Sequence, residues 1–175
     1  MGAVDAAISE VATAHSAWSS VHGQTAGYQS AKDTANTNLT AANSAYSSAN
    51  HALNVNVARS ASIQSGVSSF GARVTKLGAN PTGVKAFLKG VYDRATAFLG
   101  TAASNAAAAN VGLVAARSAA EQTVADRETD YASASLSLTE NLAAVGNAVA
   151  TVNQKKAAVS TAIATEYPFH TLPGE

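Results

Sequence analysis

Counting by sevens from Val4 reaches Val11, Trp18, Thr25, Lys32, Leu39, Tyr46, Leu53, Ser60, Val67 and Val74. Three residues after each comes a second series: Ala7, Ala14, Val21, Tyr28, Ala35, Ala42, Ala49, Asn56, Ile63, Phe70 and Leu77. Two series interleaved in this way keep to one side of a helix that packs lengthwise on another helix. Polar residues interrupt the rhythm at Thr25 and Lys32 and again at Asn56 and Ser60. A strand would need sustained alternation by two, and none is present.

The rhythm ends at GANPTG, residues 78–83, where Pro81 pushes Asn80 out of the helical region. Beyond it a cleaner seven-step series runs Val124, Tyr131, Leu138, Val145, Val152 and Val159, with a companion placed four residues on at Glu128, Ser135, Leu142, Val149, Lys156 and Ile163. The pattern predicts an all-α chain: a long antiparallel helical hairpin with heptad seams, its arms at about 3–77 and 84–166 and its turn at 78–83. A four-helix bundle is the alternative, with Gly23, Gly27, Gly66, Gly71, Gly90, Gly100, Gly112 and Gly146 marking breaks. The unit is read as one helical domain over 1–166. Pro168 and Pro173 make the end, EYPFHTLPGE, too broken to continue as helix, so 167–175 is read as a tail.

About a quarter of the 175 residues are Ala, so the 47% hydrophobic content overstates the core. Large seam residues are few, and a lone hairpin built this way needs neighbours to cover its other faces. Charged residues are 13% of the chain with Lys+Arg equal to Asp+Glu, which implies no single-sign field and argues against a nucleic-acid partner. No apolar run is read as long enough for a membrane span, and no signal peptide is recognised at the N-terminus. Cysteine is absent, which removes thiolate chemistry and disulfides.

No constellation calls for catalysis or a cofactor. His15 and His22 are two turns apart, too far to share a metal ion, and are read as polar residues beside the seam. Asn36, Asn43 and Asn50 are read as a solvated flank, and the acidic cluster EQTVADRETD as surface ion pairs. Lys85, Lys89 and Arg94 accompany Phe87, Leu88, Val91, Phe98 and Leu99 in an amphipathic segment, read as a helix packed beside the turn in preference to one lying on a membrane. Catalytic, metal and cofactor-binding residues are therefore all expected to be absent.

DTANTNLTAAN and TAASNAAAAN resemble the Thr/Ala/Asn repeats of Ala-rich helical antifreeze proteins of fish, which would imply an ice- or surface-binding face, although the eleven-residue Thr step is not continued here. DRETDYASASLSLTENLAAVGNAVATVNQ is similar to the C-terminal packing helix of flagellins, while the N-terminal half lacks their motif. The composition as a whole resembles helical segments of bacteriophage tail, fibre and head-accessory proteins. The expectation is a non-enzymatic structural subunit of a virion or an extracellular assembly. Its assembly seam is formed by Val4, Val11, Trp18, Leu39, Tyr46, Leu53, Val67 and Val74 in the first arm, and by Leu138, Val145, Val152 and Val159 in the second. Self-association as a dimer or trimer, contact with other assembly subunits, and docking of the tail through Tyr167, Phe169 and Leu172 complete the reading. The alternatives are an ice- or surface-binding protein and a secreted helical-hairpin partner protein.

Overall fold

The computed structural model describes residues 2–168, which form two helices and no strand: α1, Ala3–Leu77, and α2, Val84–Glu166. They pack against each other as an antiparallel hairpin, with helix bounds where the heptad rhythm and the breaker put them. The four-helix alternative is replaced by two unbroken helices, and all eight suspected glycine breaks lie inside them. Proline explains the continuity. The three prolines fall at 81, 168 and 173, so none interrupts a helix interior. Phe169 and Leu172 lie outside the described residues.

Ser and Thr are mediocre helix formers because their hydroxyls compete for the backbone. Here the competition is settled locally: Thr13, Thr34, Thr37, Thr123, Thr139 and Thr151 each donate to the carbonyl four residues back. These bonds satisfy the hydroxyls without opening the helix.

The turn is built by two glycines in left-handed conformation. Gly78, at φ 81°, follows the last residue of α1, and its N–H donates to Thr75 O at 3.2 Å. Gly83, at φ 54°, precedes α2, and its carbonyl accepts from Ala86 N and Phe87 N. At the opposite end of the chain Glu166, in the last turn of α2, accepts from Val4 N at 3.1 Å. Its carboxylate sits against the Gly2 Cα where a Cβ would collide, and it neutralises the positive end of the α1 dipole.

Contacts divide the chain into two compact units, Met1–Asn38 with Arg127–Glu175 and Leu39–Asp126. In the first, Ala14, Ala35, Leu138 and Val152 are buried; in the second, Ala42, Leu53 and Ala106 are buried. Four of these seven are alanines. Among the described residues no large side chain is fully buried, as befits a layer only two helices thick.

The glycines yield opposite predictions. Gly112 is helical with open space where a Cβ would go, so Gly112→Ala should stabilise by about 1 kcal/mol through helix propensity. Gly83→Ala, at positive φ, should destabilise by about 1 kcal/mol. Thermal unfolding followed by circular dichroism measures both, and equal shifts of one sign would refute the assignment of Gly83 as a conformational requirement.

Candidate functional site: an interhelical seam with polar clasps

The predicted rows of α1 face α2 almost without exception. Every member of the Val4 series is at least partly buried, and in the companion series only Tyr28 is exposed, at 36%. Val4, Val11, Trp18, Leu39, Tyr46, Leu53, Val67 and Val74 thus lie in the contact with the chain's own second helix. Leu138, Val145, Val152 and Val159 meet them from α2. The row of α2 beside Val124, Tyr131 and Leu138 differs from the one predicted. The inward companions follow three residues on, at Ala134, Asn141, Ala148, Lys155 and Ala162, whereas Leu142, Val149 and Ile163 are 52%, 43% and 44% exposed. Large side chains misplaced the row, because the small and polar residues beside them pack closer to α1.

The polar lapses in the α1 rhythm mark where α2 answers with a polar group. In the unit formed by the chain ends, Thr25 Oγ1 donates to Asn141 Oδ1 at 2.8 Å, and Asn141 Nδ2 donates to the Val21 carbonyl at 3.2 Å. Asn141 is 6% exposed, so its amide is satisfied where water is largely excluded. In the unit containing the turn, Asn56 Nδ2 donates to Ala106 O at 3.0 Å and to Asn110 Oδ1 at 2.8 Å, and Asn110 reaches Ser60 Oγ at 3.5 Å. Lys32 lies 5.9 Å from the Tyr131 ring, and Arg117 lies 6.0 Å from that of Tyr46. All four lapses therefore have partners across the seam.

Ion pairs sit at the rim. Lys155 reaches across to Glu10 at 2.9 Å, while Arg127–Asp130 and Arg117–Glu121 belong to the acidic cluster of α2, as surface pairs within one helix. Such exposed pairs contribute about 0–1 kcal/mol each. Asn36 and Asn43 are exposed and Asn50 partly buried, in keeping with a solvated flank. His15 and His22 bracket Trp18, with ring centroids at 5.2 and 5.1 Å, and the second pair is stacked. Beside this stack a hollow of about 240 Å³ is lined by His15, Trp18, Val149, Val152, Asn153 and Lys156. An open groove of about 570 Å³ in the same unit is floored by small residues such as Gly27, Ala31, Ala35 and Ala134, with Asp130 at its edge. Among the described residues no three His, Asp or Glu side chains are close enough to hold a metal ion.

Two properties of the surface depart from the sequence reading. α2 does contain an 18-residue stretch long and apolar enough, by length and composition, to cross a bilayer, and that stretch is almost wholly exposed. The balanced net charge also conceals a segregation. Residues 39–126 carry seven Lys and Arg against three Asp and Glu, and the remainder carries four against eight.

Compared with known proteins, the chain matches no family model, no curated protein and no solved structure.

Replacing Asn141 by Ala removes the partner of the Thr25 hydroxyl and a donor to Val21 O, and should destabilise by about 1–3 kcal/mol in urea unfolding. Asn141→Leu should destabilise as well, because the larger side chain crowds a position where the helices pack closely and leaves Thr25 unpaired. An Ala variant as stable as the parent would show that the clasp contributes nothing.

Proposed function

We propose that this chain is a non-enzymatic structural subunit of a larger assembly, a virion or an extracellular structure, which acts through helix–helix packing. The observation that carries the reading is the uncovered apolar flank of α2. Leu142, Val149 and Ile163, with Lys156 at the step between the last two, form a row one position outside the closed seam, and Leu136 is 58% exposed nearby in sequence. Ile8 of α1 is 53% exposed, and Val149 stands beside the His15–Trp18 stack. A heptad row left open in this way is what a further helix needs in order to pack.

The closed seam stabilises the hairpin, and the open flank is available for self-association. Two long helices that bury mostly alanine between them gain stability when a second copy covers that flank. The dimer or trimer forms on Leu142, Val149 and Ile163, while the twelve seam residues stay within the chain. Composition supports the setting: few charges, no cysteine and abundant Ser, Thr and Asn suit a building block better than a catalyst. The tail from Tyr167 onward docks on a neighbouring subunit. Tyr167 is 49% exposed, and its N–H donates to Ile163 O at 2.9 Å, which joins the start of the tail to the open flank.

Sedimentation equilibrium on the purified chain tests the reading. The expected result is a defined dimer or trimer that becomes monomeric, with helix content unchanged, in the variant Leu142→Ser/Val149→Ser/Ile163→Ser. A parent chain that stays monomeric at about 100 μM, where even a weak specific contact of about −6 kcal/mol would be populated, would sink the proposal.

A further inference from the structure

Three of the four most exposed large apolar side chains of the described residues lie near the start of α2, the fourth being Val111 further along it. Val84, Phe87 and Phe98 are 75%, 72% and 74% exposed, and Val91 is 44% exposed. Their spacing is 84, 87, 91, 98, with Arg94 filling the missing step, so the five form one ridge along a single helix face. The ridge extends for about 21 Å at 1.5 Å per residue. It is a flank and not part of the seam, because Leu88, Tyr92, Ala95 and Leu99 on the adjacent face are the partly buried residues that turn toward α1. Two phenylalanines exposed to this degree on one face mark an interaction surface.

The charge around the ridge is of one sign. Asp93 is the only acidic residue between Leu39 and Ala120, and it is taken up by Lys89 at 2.8 Å. The other charged residues from Arg73 to Phe98 in the sequence are Arg73, Lys76, Lys85 and Arg94, of which Arg94 lies on the ridge itself. Arg73 lies over the Phe70 and Tyr92 rings, 5.7 Å from each, while Lys76, Lys85 and Arg94 are exposed and have no carboxylate partner among the described residues. The turn itself, Gly78–Gly83, carries no charge. An apolar ridge flanked by cations, on a helix that also contains a nearly uncovered stretch apolar enough to enter a bilayer, has the chemistry of an interfacial helix.

We infer that the ridge Val84–Phe87–Val91–Phe98, with Lys76, Lys85 and Arg94, docks on an anionic lipid surface. The phenylalanines enter the boundary between headgroups and acyl chains, and the cations meet lipid phosphates and carboxylates. A symmetric contact between two copies of this ridge would set one cationic unit against another, which charge opposes. A single-stranded nucleic acid would stack its bases on aromatic rings beside cations, but here the exposed aliphatic Val84 and Val91 alternate with Phe87 and Phe98, which suits acyl chains better than base faces. This inference concerns the turn-containing unit and stands apart from the assembly flank on Leu142, Val149 and Ile163, so either can fail without the other.

Co-sedimentation with large unilamellar vesicles provides the test. The full chain is expected to bind vesicles of phosphatidylcholine with about 30% phosphatidylserine and to bind pure phosphatidylcholine vesicles at least about tenfold more weakly. Raising salt from about 0.1 M to about 0.5 M should release most of it. Phe87→Ser/Phe98→Ser and, separately, Lys76→Gln/Lys85→Gln/Arg94→Gln should each weaken binding at least about tenfold while circular dichroism shows unchanged helix content. The substituted side chains are exposed, so folding is not at stake. No binding to either vesicle, equal binding to both, or variants that bind as the parent does would overturn the inference. So would a parent oligomer that the Phe87→Ser/Phe98→Ser change dissociates, since the ridge would then be a subunit contact.

Discussion

Everything in this fold depends on how two helices hold register across a seam made largely of alanine. A seven-residue repeat is nearly self-similar, and sliding one arm past the other by a heptad, about 10.5 Å, re-forms most Ala and Val contacts. Apolar packing therefore supplies contact area without selecting one alignment. The hydrogen bonds of Asn141 to Thr25 and Val21, and of Asn56 to Ala106 and Asn110, cannot survive that slide. Each compact unit contains one such clasp, so each has a polar determinant of its own register. A buried amide that gives up some stability to fix alignment is the established use of Asn inside helical seams.

Closure of the chain on itself also sorts its charges. The uncharged turn divides a sequence whose middle is cationic and whose ends are acidic. An antiparallel hairpin places middle with middle and ends with ends, so one compact unit is left positive and the other negative. Net charge and composition are sums over the chain, and they hide this arrangement; topology reveals it. The surface around Phe87 and Phe98 is cationic for that reason, although the chain as a whole is neutral.

Helix bounds, turn and both rows of α1 were legible in the sequence because they rest on strong local signals: Pro81 between glycines, and apolar residues recurring, with a few polar lapses, over ten heptad steps. The inward companion row of α2 was not. Hydrophobic size favoured Leu142, Val149 and Ile163, yet a close-packed pair of helices has room only for the shorter Asn141, Ala148 and Ala162 beside Leu138 and Val152. The partners of the polar lapses were equally hidden, since Thr25 and Asn56 announce a polar group opposite without saying which. The i+j pairing that identifies Asn141 and Ala106 follows only once the arms are aligned. Glycine was over-read: a penalty of about 1 kcal/mol per residue is spread through helices whose neighbouring turns already pack.

The misplaced row carries the functional argument further than the correct ones do. Had Leu142, Val149 and Ile163 pointed inward, this flank of the unit formed by the chain ends would carry far less exposed apolar surface. Instead the heptad rhythm is present twice on α2, once facing α1 and once facing outward. A helix with two adjacent heptad rows is built to contact two neighbours, as helices in three- and four-stranded bundles do. The first row is filled by α1 of the same chain. Among the described residues no third helix covers the second, which is where the proposed assembly would seat another copy; Ile8 and the His15–Trp18–His22 stack of α1 lie on the flank beside it.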